Sequence, residues 1–228
     1  MKGLDDKRAV LLDLDDTLYL SEPCENAAAE AIVSAIASAS GLREKEIRTT
    51  YDHAREAVKK RMGDRGSSHS RMLYICELVH ELQRPDLLKY VRPWTELFWA
   101  TYVDCAHLRP RALPFIDAVR ASGRKVAIVS DLTLATQLYK LDRFDLFGRV
   151  NAVAISEEVP DDKPHHEIFR LALDRLGVEA DASLMVGDDE DKDGKGAHHL
   201  GIAFVKIPLR DVEGKTFDEI ASAMGIAA

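Results

Sequence analysis

Cysteine is scarce in this chain of 228 residues: Cys24, Cys76 and Cys105 are an odd set with no CxxC pair among them. That excludes a disulfide framework or a cysteine zinc site and fits a reducing compartment, where such residues serve as small apolar side chains. Long apolar runs are missing too. The first, Ala9-Val10-Leu11-Leu12, stops at Asp13, and none is long enough to cross a bilayer. No secretory signal is visible, so the expectation is a cytoplasmic protein without membrane contact. Basic residues are outnumbered, 31 Lys and Arg against 39 Asp and Glu for a formal charge of −8, which argues against a nucleic-acid partner. Aromatic residues are 7% of the chain; Trp94 and Trp99, with no basic patch beside them, read as helix core and not as a base-stacking platform. Repeats, low-complexity tracts and flexible linkers are also lacking.

What the chain has is a hydrophobic content of 46%, enough for a substantial core, and acid gathered in two short clusters, residues 13–16 and 188–193. Carboxylates this close repel one another unless a cation or protons hold them together.

The apolar pattern changes twice along the chain. Residues 8–13 read as a short buried strand. Residues 20–108 then read as all helix, over 21–39, 44–62, 67–82 and 86–105, with Gly41 and Gly63 as stops. From there helix and strand alternate: helices over 111–121, 134–141, 164–176 and 193–200, and strands over 125–130, 151–155, 183–186 and 203–207. This alternation predicts a Rossmann-like, doubly wound α/β fold, a parallel sheet covered on both faces, interrupted after its first strand by a helical insert. The expected domains are a core of 1–19 with 109–228 and an inserted domain of 20–108.

In such a sheet the carboxyl ends of all strands lie on one edge, where ligands bind. Asp13 ends the first strand, Ser130 the KVAIVS strand and Asp188 the SLMVGD strand, and Lys163 follows NAVAI. Asp13 and Asp15, two apart on an extended segment, face one side. Taken singly, each element is weak: a polar turn, a helix cap, a surface lysine and a solvated acidic loop.

Together and in this order they resemble the haloacid dehalogenase superfamily. The residues that carry the likeness are DLDDTL, VSD, Lys163-Pro164, and GDDEDKD followed by Gly196-Ala197 and Gly201, so it spans residues 9–19 and about 110–207. The resemblance implies a phosphatase that forms an aspartyl-phosphate. Asp13 would be the nucleophile, and Asp15 would protonate the leaving oxygen and then activate water. Ser130, Asp131 and Lys163 would hold the phosphate. Mg2+ would be bound by Asp13, Asp188 and the Asp15 carbonyl, with Asp193 in support. The implied substrate is a small phosphorylated metabolite, such as a sugar phosphate or a nucleotide. Asp15 argues for phosphotransfer over carbon–halogen hydrolysis, since the dehalogenases carry a different residue there; a phosphotransferase or mutase stays open as the alternative. The chain is expected to be a monomer or homodimer. The insert resembles a type-one cap, and the polar segment 65–71, with Ser68, His69 and Arg71, is the expected specificity junction.

Three rivals are weaker. In a calcium loop begun by Asp189, Asp191 and Asp193, the closing glutamate would fall at Leu200. A phosphorylated receiver domain has these residues in another order and no helical insert, and a non-catalytic phosphate-binding module would have no need of every catalytic position filled. The adjacent pairs His165-His166 and His198-His199 point in different directions on a helix, so they read as surface residues and not as chelators.

Overall fold

The computed structural model describes residues 3–226. Its elements run β1 (Ala9–Leu12), α1 (Ser21–Ser40), α2 (Glu44–Met62), α3 (Arg71–Glu81), α4 (Val91–Cys105), α5 (Ala112–Ala121), β2 (Lys125–Ser130), α6 (Leu134–Arg143), β3 (Ala152–Ile155), α7 (Glu167–Leu176), β4 (Ser183–Gly187), α8 (Lys195–His199), β5 (Ala203–Lys206) and α9 (Lys215–Ala223). The chain divides into two compact units, Met1–Leu20 with His107–Ala228, and Ser21–Ala106.

In the first unit the five strands form one parallel sheet in the order β3-β2-β1-β4-β5. Strand order reverses about β1, so the crevice expected of a doubly wound sheet opens beside it. Alternate residues supply the two faces. Leu11, Ala127, Val129 and Met185 pack with Ile168, Phe169 and Ala172 of α7 and with Ala197 of α8. Helix α5 lies against β2 and α9, with Phe115 and Phe217 rings 5.2 Å apart.

The second unit is entirely helical. Helix α1 runs beside α4 and α2, and α3 beside α2 and α4. Ile32, Ile36, Tyr51, Val58, Tyr74, Ile75, Leu78 and Phe98 fill its core.

Several boundaries differ from the sequence expectation, each for a local reason. The expected helix over 86–105 is a 3-10 turn, Pro85–Tyr90, followed by α4. Pro93 has no N–H to continue a helix from before Val91, but is tolerated in a first turn. The helix over 67–82 is likewise divided: Gly66–His69 is a 3-10 turn, and Ser70 then caps α3 by accepting from the Leu73 N–H. Asp189 accepts from the N–H groups of Asp191 and Lys192, so the turn expected to open at Asp193 begins earlier, as a π-helical segment over Glu190–Gly194. Helix α9 has no counterpart in the sequence reading; Asp211 starts it by accepting from the N–H groups of Lys215 and Thr216. Among the described residues, no helix is long and apolar enough to cross a membrane.

Candidate active site

Register brings the acidic motifs to one edge of the sheet. Leu12 of β1 pairs with Ile128 of β2 and Val186 of β4, and the Asp13 N–H continues the ladder to the Val186 carbonyl at 3.0 Å. Asp16, at φ 65°, then ends the extended run; Asp is one of the few non-glycine residues that adopts this region readily. The turn it makes returns the Thr17 hydroxyl to Asp13 Oδ2, at 2.8 Å.

Lys163 stands at the centre, 5% exposed. Its ammonium donates to Asp13 Oδ1 and Asp193 Oδ1, both at 2.7 Å. Burial opposes the charge on Lys163, but Asp13, Asp193 and Asp131 outweigh it and raise its pKa. Asp13 is pushed the opposite way from an exposed carboxyl. Burial raises its pKa, and the charges of Asp193 and Asp188 add to this against the pull of Lys163. Burial with Asp193 and Asp16 likewise lifts Asp188 to about 6. Gly187 makes room for the cluster, because a Cβ there would run into the Asp193 carboxylate.

Asp13, Asp188 and Asp193 each offer an oxygen within 4.8 Å of the others. An all-oxygen set in which burial and crowded negative charge raise the pKa values of Asp13 and Asp188 fits a hard divalent cation. Asp15 can join such a set only through its carbonyl, since its carboxylate is engaged elsewhere. Lys140 donates to Oδ1 and Oδ2 at 2.7 and 2.9 Å, Gln137 to Oδ2 at 3.1 Å, and the Tyr19 hydroxyl to Oδ1. Burial alone would raise Asp15, but Lys140, with hydrogen bonds from Lys140, Tyr19 and Gln137, brings its pKa below the ordinary value.

Ser130 is buried at the end of β2 and accepts from the Gln137 amide at 2.7 Å. The carboxylate of Asp131, expected at the phosphate, is committed otherwise: Oδ1 accepts from the Lys163 N–H at 2.9 Å and Oδ2 pairs with Lys192 at 2.9 Å. A carboxylate would also repel a phosphate dianion, so Asp131 braces the lysine loops, and only its backbone N–H suits an anion.

The expected specificity residues lie in the helical unit. Ser68 is buried and its carbonyl accepts from the Tyr74 hydroxyl at 2.6 Å. The carbonyl of His69 accepts from Arg71 at 2.7 Å. Arg71 departs from the expectation of a polar junction. It is buried, pairs with Glu25, and lies 5.2–5.4 Å from the ring centres of Tyr74, Phe98 and Trp99. Its fork is turned into the helical core because Glu25 and three aromatic faces meet there.

Sequence reasoning missed three groups at the sheet edge. Gln137 and Lys140 stand three apart on α6, a spacing that puts polar residues on one helix face and was the available signal. Arg109 donates to the carbonyls of Thr17 at 2.9 Å, Asp16 at 2.7 Å and Asp211, tying down the chain after Asp15; nothing in its sequence neighbourhood announces that.

A family model described as haloacid dehalogenase-like hydrolase matches residues 7–201. The chain is 35% identical over 210 residues to a ribulose-1,5-bisphosphate 5-phosphatase of Halopiger xanaduensis, covering 86% of this chain and 83% of that protein. It is 32% identical over 220 residues to a glyceraldehyde 3-phosphate phosphatase of Methanocaldococcus jannaschii, covering 93% and 91%. The crystal structure of an HAD phosphatase from Thermococcus onnurineus superposes with a TM-score of 0.69 at 25% identity, over 88% of this chain and 86% of that one.

Proposed function

This chain belongs to the haloacid dehalogenase-like hydrolases, and from that membership we propose that it is a magnesium-dependent phosphatase of short-chain sugar phosphates, acting through an aspartyl-phosphate on Asp13. The observation that carries this reading is the buried Asp13, bonded to Lys163 and flanked by Asp188 and Asp193. Phosphatases that share most of the chain's length act, by name, on ribulose-1,5-bisphosphate and glyceraldehyde 3-phosphate, which supports the substrate class.

In the proposed reaction an Asp13 carboxylate oxygen attacks phosphorus. The ester P–O bond breaks, its electron pair stays with the leaving oxygen, and that oxygen takes a proton from Asp15, whose carboxylate has first taken that proton from the bound phosphate monoester monoanion. A water oxygen then attacks the phosphorus now held on Asp13 and gives a proton to Asp15. The P–O bond to Asp13 breaks, which restores the carboxylate and releases inorganic phosphate. The Ser130 hydroxyl and the Lys163 ammonium hold the non-bridging oxygens, in bonds strengthened by charge. Magnesium held by Asp13, Asp188 and the Asp15 carbonyl, with Asp193 in support, would supply the positive charge that lets a carboxylate approach a phosphate dianion. Substrate choice is assigned to the helical unit, as a cap.

The test is a phosphate-release assay on a panel of sugar phosphates, with p-nitrophenyl phosphate as reference. Turnover should vanish on chelation and return with magnesium. Undiminished turnover in fully chelated protein would end this reading.

A further inference from the structure

Two side chains of α6 that the proposed reaction does not use are wholly buried among catalytic groups: Gln137 is 0% and Lys140 1% exposed. Burying an ammonium and an amide costs stability unless their bonds are met. Here Lys140 meets Asp15 through both carboxylate oxygens, at 2.7 and 2.9 Å, beside the Tyr19 hydroxyl. Gln137 Nε2 lies within reach of three acceptors, Asp15 Oδ2 at 3.1 Å, Ser130 Oγ at 2.7 Å and the Asp131 carbonyl at 2.8 Å.

The amide orientation follows from its acceptors, although it leaves Oε1 buried with no hydrogen-bond partner among the described residues. Turned over, Oε1 would face a carboxylate and a carbonyl, neither of which can donate to it. With nitrogen at this point, Ser130 can only accept from Gln137. Its hydroxyl hydrogen is therefore left to donate elsewhere. Within the protein it has the Asp131 carbonyl at 3.4 Å, a long contact that a charged phosphate oxygen would displace.

We propose that Lys140, Gln137 and Tyr19 are positioning residues that set two catalytic groups at once. Lys140 and Tyr19 hold the Asp15 carboxylate in one orientation for proton transfer. Gln137 joins that carboxylate to Ser130 and turns the Ser130 hydroxyl outward as a phosphate donor. This inference rests on the reading of Asp15 as the acid and base of the reaction. A purely structural ion pair would stabilise the fold and leave the choice between leaving groups untouched, which separates the two accounts.

The experiment compares phenyl phosphate with p-nitrophenyl phosphate, substrates of similar size whose leaving oxygens differ in basicity. Phenolate needs its proton more. Lys140→Met should lower kcat on phenyl phosphate by roughly 10²-fold, within the range of one acid–base contribution. The loss on p-nitrophenyl phosphate should be about a tenth of that, with KM near wild type on both. Lys140→Arg, which keeps the charge, should recover part of the loss. Gln137→Leu should lower kcat/KM on both substrates by a similar factor, because every substrate carries the phosphate that Ser130 contacts. Equal losses on both substrates in folded Lys140→Met, or none on either, would overturn the proposal. If Lys140→Met does not fold, Tyr19→Phe serves in its place: a smaller loss selective for phenyl phosphate is expected, and an unchanged ratio overturns it. Asp15→Asn is the control. A selective loss there without one in Lys140→Met defeats the positioning role alone, whereas an equal loss on both substrates in Asp15→Asn defeats the acid–base reading itself.

Discussion

The α/β unit and the helical unit both bury a cation against carboxylate, and they do so to different ends. At the sheet edge Lys163 lies between Asp13 and Asp193, in a cluster assembled from the ends of strands and the loops that follow them. In the helical unit Arg71 opens α3, pairs with Glu25 of α1 and lies among three aromatic rings. There Arg71 Nε, Glu25 Oε1 and the Tyr51 hydroxyl are buried with no hydrogen-bond partner among the described residues. The first arrangement gathers like charges that a cation and a substrate can answer. The second holds helices together around a polar centre. On the proposed reading, the same device serves chemistry in one unit and cohesion in the other.

That contrast is open to three tests. The largest effect belongs to Asp13→Asn. Turnover should fall on the order of 10⁴–10⁶-fold, as when a nucleophile is removed, while the thermal midpoint stays near wild type. A large loss of stability alongside would make Asp13 a structural residue as well. Next is Arg71→Met, which leaves the half-buried Glu25 unpaired at a cost of about 2–3 kcal/mol, below the fully buried range because Glu25 keeps some access to water, read from the denaturant midpoint. Below its transition this variant should keep turnover of p-nitrophenyl phosphate within about threefold. Unchanged stability with lost activity would move Arg71 to the chemical side.

The smallest effect sharpens the comparison through pH. The folded value of Asp188, about 6, lies above its unfolded value near 3.8. Between these values the folded chain holds a proton that the unfolded chain has released. Stability from this group is therefore present below about pH 4 and lost as pH rises to about 6. In chelator at neutral pH, Asp188→Asn should be more stable than wild type by about 1 kcal/mol, discounted for partial exposure, or roughly 2–4 °C. The gain should disappear near pH 4, and if magnesium binds as proposed it should stabilise wild type and not the variant. A variant less stable than wild type in chelator at neutral pH would contradict the crowding of negative charge at this edge.

The parallel sheet and the residues on its edge were legible because each signal is local. An apolar run that stops at an acid marks a strand end, and in a parallel sheet strand ends share an edge. Asp13, Ser130 and Asp188 are placed on the edge this way and Lys163 by the loop after its strand, whereas Asp15 follows from alternation along the extended segment and Asp193 only from the family resemblance. Lys140 and Gln137 were not legible, because a polar residue on an amphipathic helix normally faces water, and only the tertiary fold buries these two. The partners of the Asp131 carboxylate, Lys163 and Lys192, are distant in sequence, so no local signal shows that this side chain is engaged with them. The burial of Arg71 is not legible either, because a polar segment between apolar helices looks like a loop, and nothing local reveals Glu25 from α1.

The two places where the chain leaves and rejoins the α/β unit are fastened to each other. Tyr19 bridges Leu108, the Arg109 N–H donates to the Leu18 carbonyl at 2.8 Å, and the Arg109 side chain reaches Thr17 and Asp16. The sheet unit is therefore sewn shut at its own seam, and whatever hangs beyond the seam is a closed loop. The entropy of such a loop grows only with the logarithm of its length, about 0.6 kcal/mol per doubling. An insert of another size or architecture could hang from the same stitch at little cost to the sheet, leaving the catalytic edge as it was and changing only what is brought to it.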